Sequence, residues 1–141
     1  YNESMKHLLI IFSLLLSSVS WSKDVTINDI VERDGLWYEK YSDKPFTGNC
    51  NGAYKGKIKN GKKEGKWLYF MVDGQLREKE NYENGKKEGE YLMYYSNGKI
   101  RQKGNYKNNK LDGKVHWYNI DGSIKMIGIY KKGYLLEIID Y

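Results

Sequence analysis

The chain has 141 residues, 40% hydrophobic and 15% aromatic, with a formal net charge of +6 and a single cysteine, Cys50. That length suits one small domain, and one cysteine excludes an intrachain disulfide, so packing and hydrogen bonds must hold the fold. Lysines and arginines are spread along the sequence, which excludes a massed basic tail of the disordered kind.

A leader comes first. Residues Tyr1 to Ser4 precede Met5 and are set aside as foreign to the fold. From Met5 the order is Lys6, His7, an apolar run from Leu8 to Leu16, then small residues up to Ser22. That order reads as a secretory signal peptide over 5–22. The run is shorter than the about 20 apolar residues a membrane-spanning helix needs. A cleaved leader and an exported chain, periplasmic or secreted, are therefore expected over 23–141. No cysteine follows the apolar run directly, so no lipoprotein anchor is suggested. The segment "DVTINDIV", Asp24 to Val31, opens a capping region over about 24–34.

The middle of the chain repeats itself. "NGKKEG" occurs at Asn60 to Gly65 and at Asn84 to Gly89, with an echo, "NNKLDG", at Asn108 to Gly113. Stepping by 24 aligns Gly61, Gly85, Asn109 and Gly133, then Gly65, Gly89 and Gly113, then Gly74, Gly98 and Gly122. Tyr82, Tyr106 and Tyr130 make a further column, and so do Leu76, Ile100 and Ile124. Columns that stay in phase at a fixed period indicate a repeat architecture. Asp73-Gly74, Asn97-Gly98 and Asp121-Gly122 lie between apolar-rich runs, which predicts type I′ hairpin turns there. The turns at Asn60-Gly61 and Asn84-Gly85 then join one hairpin to the next as looser connections. Frequent glycine leaves no room for helices.

Alternation across such hairpins pairs Met71 with Leu76, Tyr69 with Glu78 and Trp67 with Glu80. One face then carries Trp67, Tyr69, Met71, Leu76 and Tyr82 with their copies, and reads as apolar and aromatic. The opposite face carries Leu68, Phe70, Arg77 and Lys79, then Leu92, Tyr94, Arg101 and Lys103, and reads as amphipathic and basic. The same register sets Tyr91 over Gly104 and Val115 over Gly128, a device by which a large side chain shields strand glycine. At the end, "YLLEIIDY" from Tyr134 to Tyr141 reads as a capping strand. The expected fold is all-β: an elongated, single-layer meander of antiparallel hairpins with a 24-residue repeat, preceded by the leader.

The run from Gly56 through Ile58, Asn60-Gly61 and Gly65 to Trp67, with its copies, resembles the MORN repeat, and more closely the bacterial MORN-variant or YwqK-like antitoxin type. "RDGLWYEKYSDKPFTG", Arg33 to Gly48, looks like the opening unit of such proteins. The resemblance covers roughly Asp34 to Leu136. It departs where Glu80 replaces the glycine found at Gly56, Gly104 and Gly128, and where Asn109 replaces a turn glycine. It implies an elongated sheet that serves as a binding or scaffolding surface, associated in eukaryotic relatives with protein dimers and phospholipid.

Catalytic chemistry finds no purchase in the residues. Glu64, Glu88 and Asp112 share a column whose projected step of ~10 Å per unit exceeds the spacing of a glycosidase pair, so turn chemistry is expected of them. His116 has no second histidine or cysteine near it in sequence, and Cys50 lacks a motif partner. No metal, cofactor or enzymatic activity is expected. The partner-binding residues expected are Phe70, Tyr94 and Tyr118 as an aromatic ladder with Arg77, Lys79, Arg101 and Lys103 beside it, because aromatics next to arginine are typical of interface hot spots. Tyr82, Tyr106 and Tyr130 are expected in the core. The function expected is a non-enzymatic module that binds a protein partner or scaffolds the cell envelope. The alternatives are an anionic lipid or wall polymer held at a membrane or wall surface by the basic aromatic face, or a carbohydrate. A homodimer that buries the apolar face is a further expectation. Export argues against nucleic acid.

Overall fold

Apolar and polar residues alternate between closely spaced Asn-Gly and Asp-Gly pairs, a pattern that favours short antiparallel strands. The computed structural model describes residues 23–141, and their backbone is mostly strand. The leader expected over 5–22 lies outside the described residues. In chain order the strands are β1 (Lys23–Thr26), β2 (Ile30–Arg33), β3 (Leu36–Glu39), β4 (Gly48–Asn51), β5 (Tyr54–Lys59), β6 (Lys62–Phe70) and β7 (Leu76–Glu83). There follow β8 (Lys86–Lys87), β9 (Gly89–Tyr94), β10 (Ile100–Lys107), β11 (Lys110–Leu111), β12 (Gly113–Tyr118), β13 (Ile124–Lys131) and β14 (Tyr134–Asp140). A 3-10 turn, Ile27–Asp29, separates β1 from β2.

One sheet of 12 strands runs β1-β4-β5-β6-β7-β9-β10-β12-β13-β14, with β8 and β11 paired to β7 and β10. The hairpin-rich, antiparallel sheet is as expected, with two departures. β1 caps the first edge by running parallel to β4. β2 and β3 leave the sheet and form a hairpin of their own, which brings Ile30, Trp37 and the following Phe46 into one apolar cluster with Ile58, Trp67 and Tyr69. The first half is therefore two layers deep. The hairpin region is tied to the sheet through a turn: the Trp37 N–H donates to the Gly61 carbonyl at 2.7 Å, and the Gly61 N–H donates to the Phe46 carbonyl at 2.7 Å.

The turn types are the reverse of those expected. Asn60-Gly61 (φ 49° and 75°), Asn84-Gly85 (51° and 82°) and Asn108-Asn109 (50° and 66°) have both residues left-handed. They close two-residue loops, since Lys59 pairs with Lys62, Glu83 with Lys86 and Lys107 with Lys110. These are the type I′ turns. At Asp73-Gly74, Asn97-Gly98 and Asp121-Gly122 only the glycine has positive φ. There the Gly74 N–H donates to the Met71 carbonyl at 2.9 Å, the Met71 N–H to the Gln75 carbonyl at 2.8 Å, and Asp73 Oδ1 accepts the Gln75 N–H at 3.0 Å. A type I turn followed by a left-handed glycine has that pattern.

The repeated hexapeptide is explained by how successive type I′ turns stack. Glu64 Oε2 accepts the Asn84 N–H at 2.9 Å, Glu88 Oε2 accepts the Asn108 N–H at 2.7 Å, and Asp112 Oδ2 accepts the Lys132 N–H at 3.3 Å. Thr47 Oγ1 does the same for Asn60 at 2.8 Å. The second turn residue reaches back as well: Gly85 to the Lys63 carbonyl, Asn109 to that of Lys87 and Gly133 to that of Leu111. Each "NGKKEG" thus supplies a left-handed turn and the carboxylate that caps the next turn.

Register follows expectation across the strand centres. Trp67 pairs with Glu80, Tyr69 with Glu78, Gly104 with Tyr91 and Val115 with Gly128. At the tight ends it does not. Phe70, not Met71, pairs with Leu76, because a bulge leaves Arg77 as an extra residue. Arg101 is the extra residue in the next unit. The core face holds Val25, Cys50, Ile58, Trp67, Tyr91 and Val115, all buried, and Tyr82, Tyr106 and Tyr130 are half-buried there beside Trp67, Tyr91 and Trp117.

β14 breaks the pattern. Between earlier units the later strand carries two residues beyond its partner's count, as where Lys57 pairs with Glu64 and Lys55 with Leu68. On β14 the step from Tyr130↔Leu135 to Ile129↔Glu137 carries only one. The column that supplies Gly65, Gly89 and Gly113, all with positive φ, holds Glu137 here. Without a residue that enters that conformation easily the wider bulge is lost. A shift by one residue exchanges the faces of a strand, so Ile138 occupies the core-face register opposite Gly128, and Ile139 pairs with Ile127 on the far face.

Candidate functional site

Three groupings on this scaffold carry chemistry: a charged cluster on the core face, the basic aromatic face, and the open edge at β14. In the first, Glu80 stands where the other units have glycine, with only 2% of its surface exposed. Its carboxylate accepts the Tyr82 hydroxyl at 2.6 Å and pairs with the Lys87 ammonium. Burial works against the charged form, but these donors win and hold the carboxyl below the usual carboxylate range. Lys87 is likewise pulled down by burial and raised overall by its bond to Glu80. Lys63 lies over the rings of Trp67 (4.5 Å), Tyr82 (5.1 Å), Tyr69 (5.3 Å) and Trp37 (5.6 Å) and donates to the Tyr69 hydroxyl at 3.1 Å. Burial pushes its pKa down, with Glu80 and Glu32 opposing. Burial and the charge of Glu80 push Glu78 up to about 6. No buried side-chain polar atom among the described residues lacks a hydrogen-bond partner. This satisfied network fixes the junction between hairpin and sheet. Only the replacement of glycine by Glu80 signalled it in the sequence.

On the far face, cross-strand pairing brings Leu68, Lys79, Leu92, Lys103, His116 and Ile127 into one row. Phe70, Tyr94 and Tyr118 alternate in phase with Leu68, Leu92 and His116 and so share that face, as expected. Lys79 and Lys103 are half-buried among them, and Lys103 pairs with Glu90 at 3.2 Å. The ladder itself is not assembled: the ring contacts of the described residues include His116 on Tyr118 at 6.2 Å, but none joins Phe70, Tyr94 and Tyr118. Arg77 and Arg101, as bulge residues, fall out of the alternation. The Arg101 guanidinium lies 3.6 Å from the sulfur of Met93, a residue that pairs with Glu78 of the core face.

The third grouping lies on the segment Tyr134 to Tyr141, expected as a capping strand, and its exposed edge has no counterpart in the sequence analysis. Among the described residues β14 is the last strand of the sheet, and no described strand pairs with its outer side. Tyr134 is 73% exposed, Leu136 66% and Ile138 52%, with Leu135 also exposed. The Tyr141 N–H donates to the Lys125 carbonyl at 3.2 Å. Hydrogen-bonded positions alternate along an antiparallel pair, so the backbone groups of Ile138 and Asp140 point to the open side. β14 carries neither lysine nor proline, the usual protections of an edge. By contrast β1, at the other edge, is four residues long and begins with Lys23 paired to Glu39. The signal in the sequence was Glu137 in a glycine column.

Among the described residues there is no group of three or more potential metal ligands, and no helix is long and apolar enough to cross a membrane. Cys50 is a free, buried thiol whose pKa burial raises.

No protein-family model matches the chain, and no curated protein matches it. Among solved structures, the accessory secretory protein 1, 2 and 3 structure from Streptococcus pneumoniae aligns at 15% identity and a TM-score of 0.41, over 87% of this chain and 23% of that one. The GtfA/B complex bound to UDP and GlcNAc aligns at 15% identity and a TM-score of 0.30, over 99% of this chain and 37% of that one. The chain thus spans a minor part of each, and neither likeness amounts to a shared fold.

Proposed function

We propose that this chain is an exported, non-enzymatic repeat module of the MORN-variant type that binds a protein partner by accepting an added strand at β14. The observation that carries the reading is the open edge itself: a strand of seven residues with exposed apolar side chains and outward-facing backbone groups. Strand addition takes affinity from main-chain hydrogen bonds and specificity from alternate side chains. Leu136 and Ile138 supply the apolar contacts, and Glu137 at the centre of β14 and Asp140 at its end favour a partner strand with cationic residues at those positions. β14 is already paired along its length with β13, so little further ordering entropy is lost when a strand docks.

The test is capture from an envelope extract at high salt with the wild-type chain, an Ile138→Lys variant and a Phe70, Tyr94 and Tyr118 triple alanine variant. A single protein lost with Ile138→Lys and kept by the triple variant supports edge binding. The opposite pattern transfers the contact to the basic aromatic face.

A further inference from the structure

We infer that the cleft between the turn Asn108-Asn109 and the fourth turn of the series, Lys132-Gly133 (φ 52° and 88°, between the paired Lys131 and Tyr134), is a site for the phosphate group of a water-soluble phosphate ester or polyphosphate. The cleft, about 280 Å³, is lined by Lys107, Asn108, Lys110, Asp112, Lys131 and Lys132. Four ammonium groups and one carboxylate therefore share a concavity. The carboxylate is already engaged, since Asp112 Oδ1 accepts from Lys131 Nζ at 3.1 Å and Oδ2 from the Lys132 N–H at 3.3 Å.

Two local costs are accepted in building this cleft. Lys107 and Lys110 pair directly across the turn Asn108-Asn109, and like charges directly opposite are destabilising, a cost shared with Lys59 and Lys62 across Asn60-Gly61. Lys132 has φ 52°, a left-handed conformation that penalises residues without the short polar side chain of Asn or Asp. The equivalent residues of the earlier turns are Asn60, Asn84 and Asn108, so the fold accepts asparagine here, and lysine is the more strained choice. Strain of this kind is found where a residue is needed for function. The Lys110 stem lies along the next turn, since a Cβ placed on Gly133 would meet its Cβ, Cγ and Cδ at 3.6, 3.7 and 3.9 Å, as Lys62 lies along Gly85 at 3.4, 3.4 and 3.7 Å.

An internal control exists between the first two type I′ turns. That cleft is lined by Lys57, Lys59 and Lys62 but also by Glu64 and Glu83, which offset the charge. The choice of phosphate follows from the donors. Lysine presents compact point charges that bind phosphate, and the excess of four ammonium groups over one carboxylate in the lining suits a multiply charged anion better than a single carboxylate. The lining holds no apolar side chain, so nothing there would receive an acyl chain. The site rests on none of the observations used for the β14 edge.

The experiment is an amide chemical-shift titration of the chain with sodium pyrophosphate at constant ionic strength. Saturable shifts are expected at Asn108, Lys110, Lys132 and Gly133, without matching shifts at Asn60 and Gly61. Lys110→Gln should weaken binding about tenfold, the equivalent of one charge-assisted hydrogen bond. Lys132→Asn should weaken binding while raising the thermal midpoint by a few degrees, because the strain is relieved. Shifts that do not saturate, equal shifts at both turns, or unchanged affinity in both variants would overturn the site. Binding to phosphatidylglycerol vesicles with none to pyrophosphate would overturn it as well.

Discussion

Trp67 and Val115 occupy the same column of the repeat, and each is 0% exposed, but they are buried by different means. Trp67 lies under a second layer, the β2–β3 hairpin and Phe46, and its ring presses so closely on Gly56 that a Cβ there would overlap it. Val115 has glycine on both neighbouring strands, Gly104 and Gly128, and sinks between them under flanking aromatic side chains. Both halves clear side chains from the floor beneath this column, at Gly56 and at Gly104 and Gly128, but only the first adds a layer above it. A repeat can thus keep its columns while changing the source of its burial.

The largest expected break in this comparison is Trp67→Ala. It should cost about 3–5 kcal/mol, and hydrogen exchange should show β4 to β7 losing protection before β10 to β13, since repeats contact chiefly their neighbours. Equal loss in both halves would show that they unfold as one unit. Gly104→Ala attacks the other half. Its Cβ would meet Tyr91 Cε1 at 2.7 Å and Val115 Cγ2 at 2.9 Å, an overpacking expected to cost about 1–3 kcal/mol in urea unfolding. Glu88→Ala leaves the Asn108 N–H without its cap and should cost about 1 kcal/mol, with amide exchange quickening at Asn108 and not at Asn60.

The smallest effect is a pH dependence confined to the junction. The folded pKa of Glu78 is raised from 4.5 to about 6, so the native state binds more protons than the unfolded chain between those values. Stability from this group therefore falls as pH rises from about 4.5 to 6. Glu80 is lowered and acts in the opposite sense, its contribution lost as pH falls through its folded value. Glu78→Gln should remove the first slope and leave the second, as read by thermal melts carried from above the Glu78 range to below the usual carboxylate range, where the Glu80 contribution is lost. A slope unchanged in Glu78→Gln would place the titration on another group.

Much of this architecture could be read in the residues. The Trp67↔Glu80 and Tyr91↔Gly104 pairs followed from alternation alone, because a sheet with one buried face admits one register. The turn types did not follow, because Asn60-Gly61 and Asp73-Gly74 are nearly equivalent as dipeptides. What separates them is the number of residues between the last paired positions, which depends on the neighbouring strand. The carboxylates Glu64, Glu88 and Asp112 do serve turns, but the backbone N–H groups that donate to them lie 20 residues further along, beyond any local signal. Of the binding residues expected, Lys79, Lys103, Phe70, Tyr94 and Tyr118 share a face, whereas Arg77 and Arg101 were displaced by bulges that no spacing announced.

The sequence by itself determined the all-β class, the columns and the central register, since each rests on side-chain alternation and on left-handed residues at fixed intervals. Only the tertiary structure decided that β1 runs parallel to β4, that the β2–β3 hairpin roofs the first half, and that the burial of Glu80 is answered by Lys87 and Tyr82. It also decided that β14 is one residue out of phase and, among the described strands, unpaired on its outer side. These features depend on contacts between segments distant in the chain, whose closure entropy and packing energy no local pattern encodes.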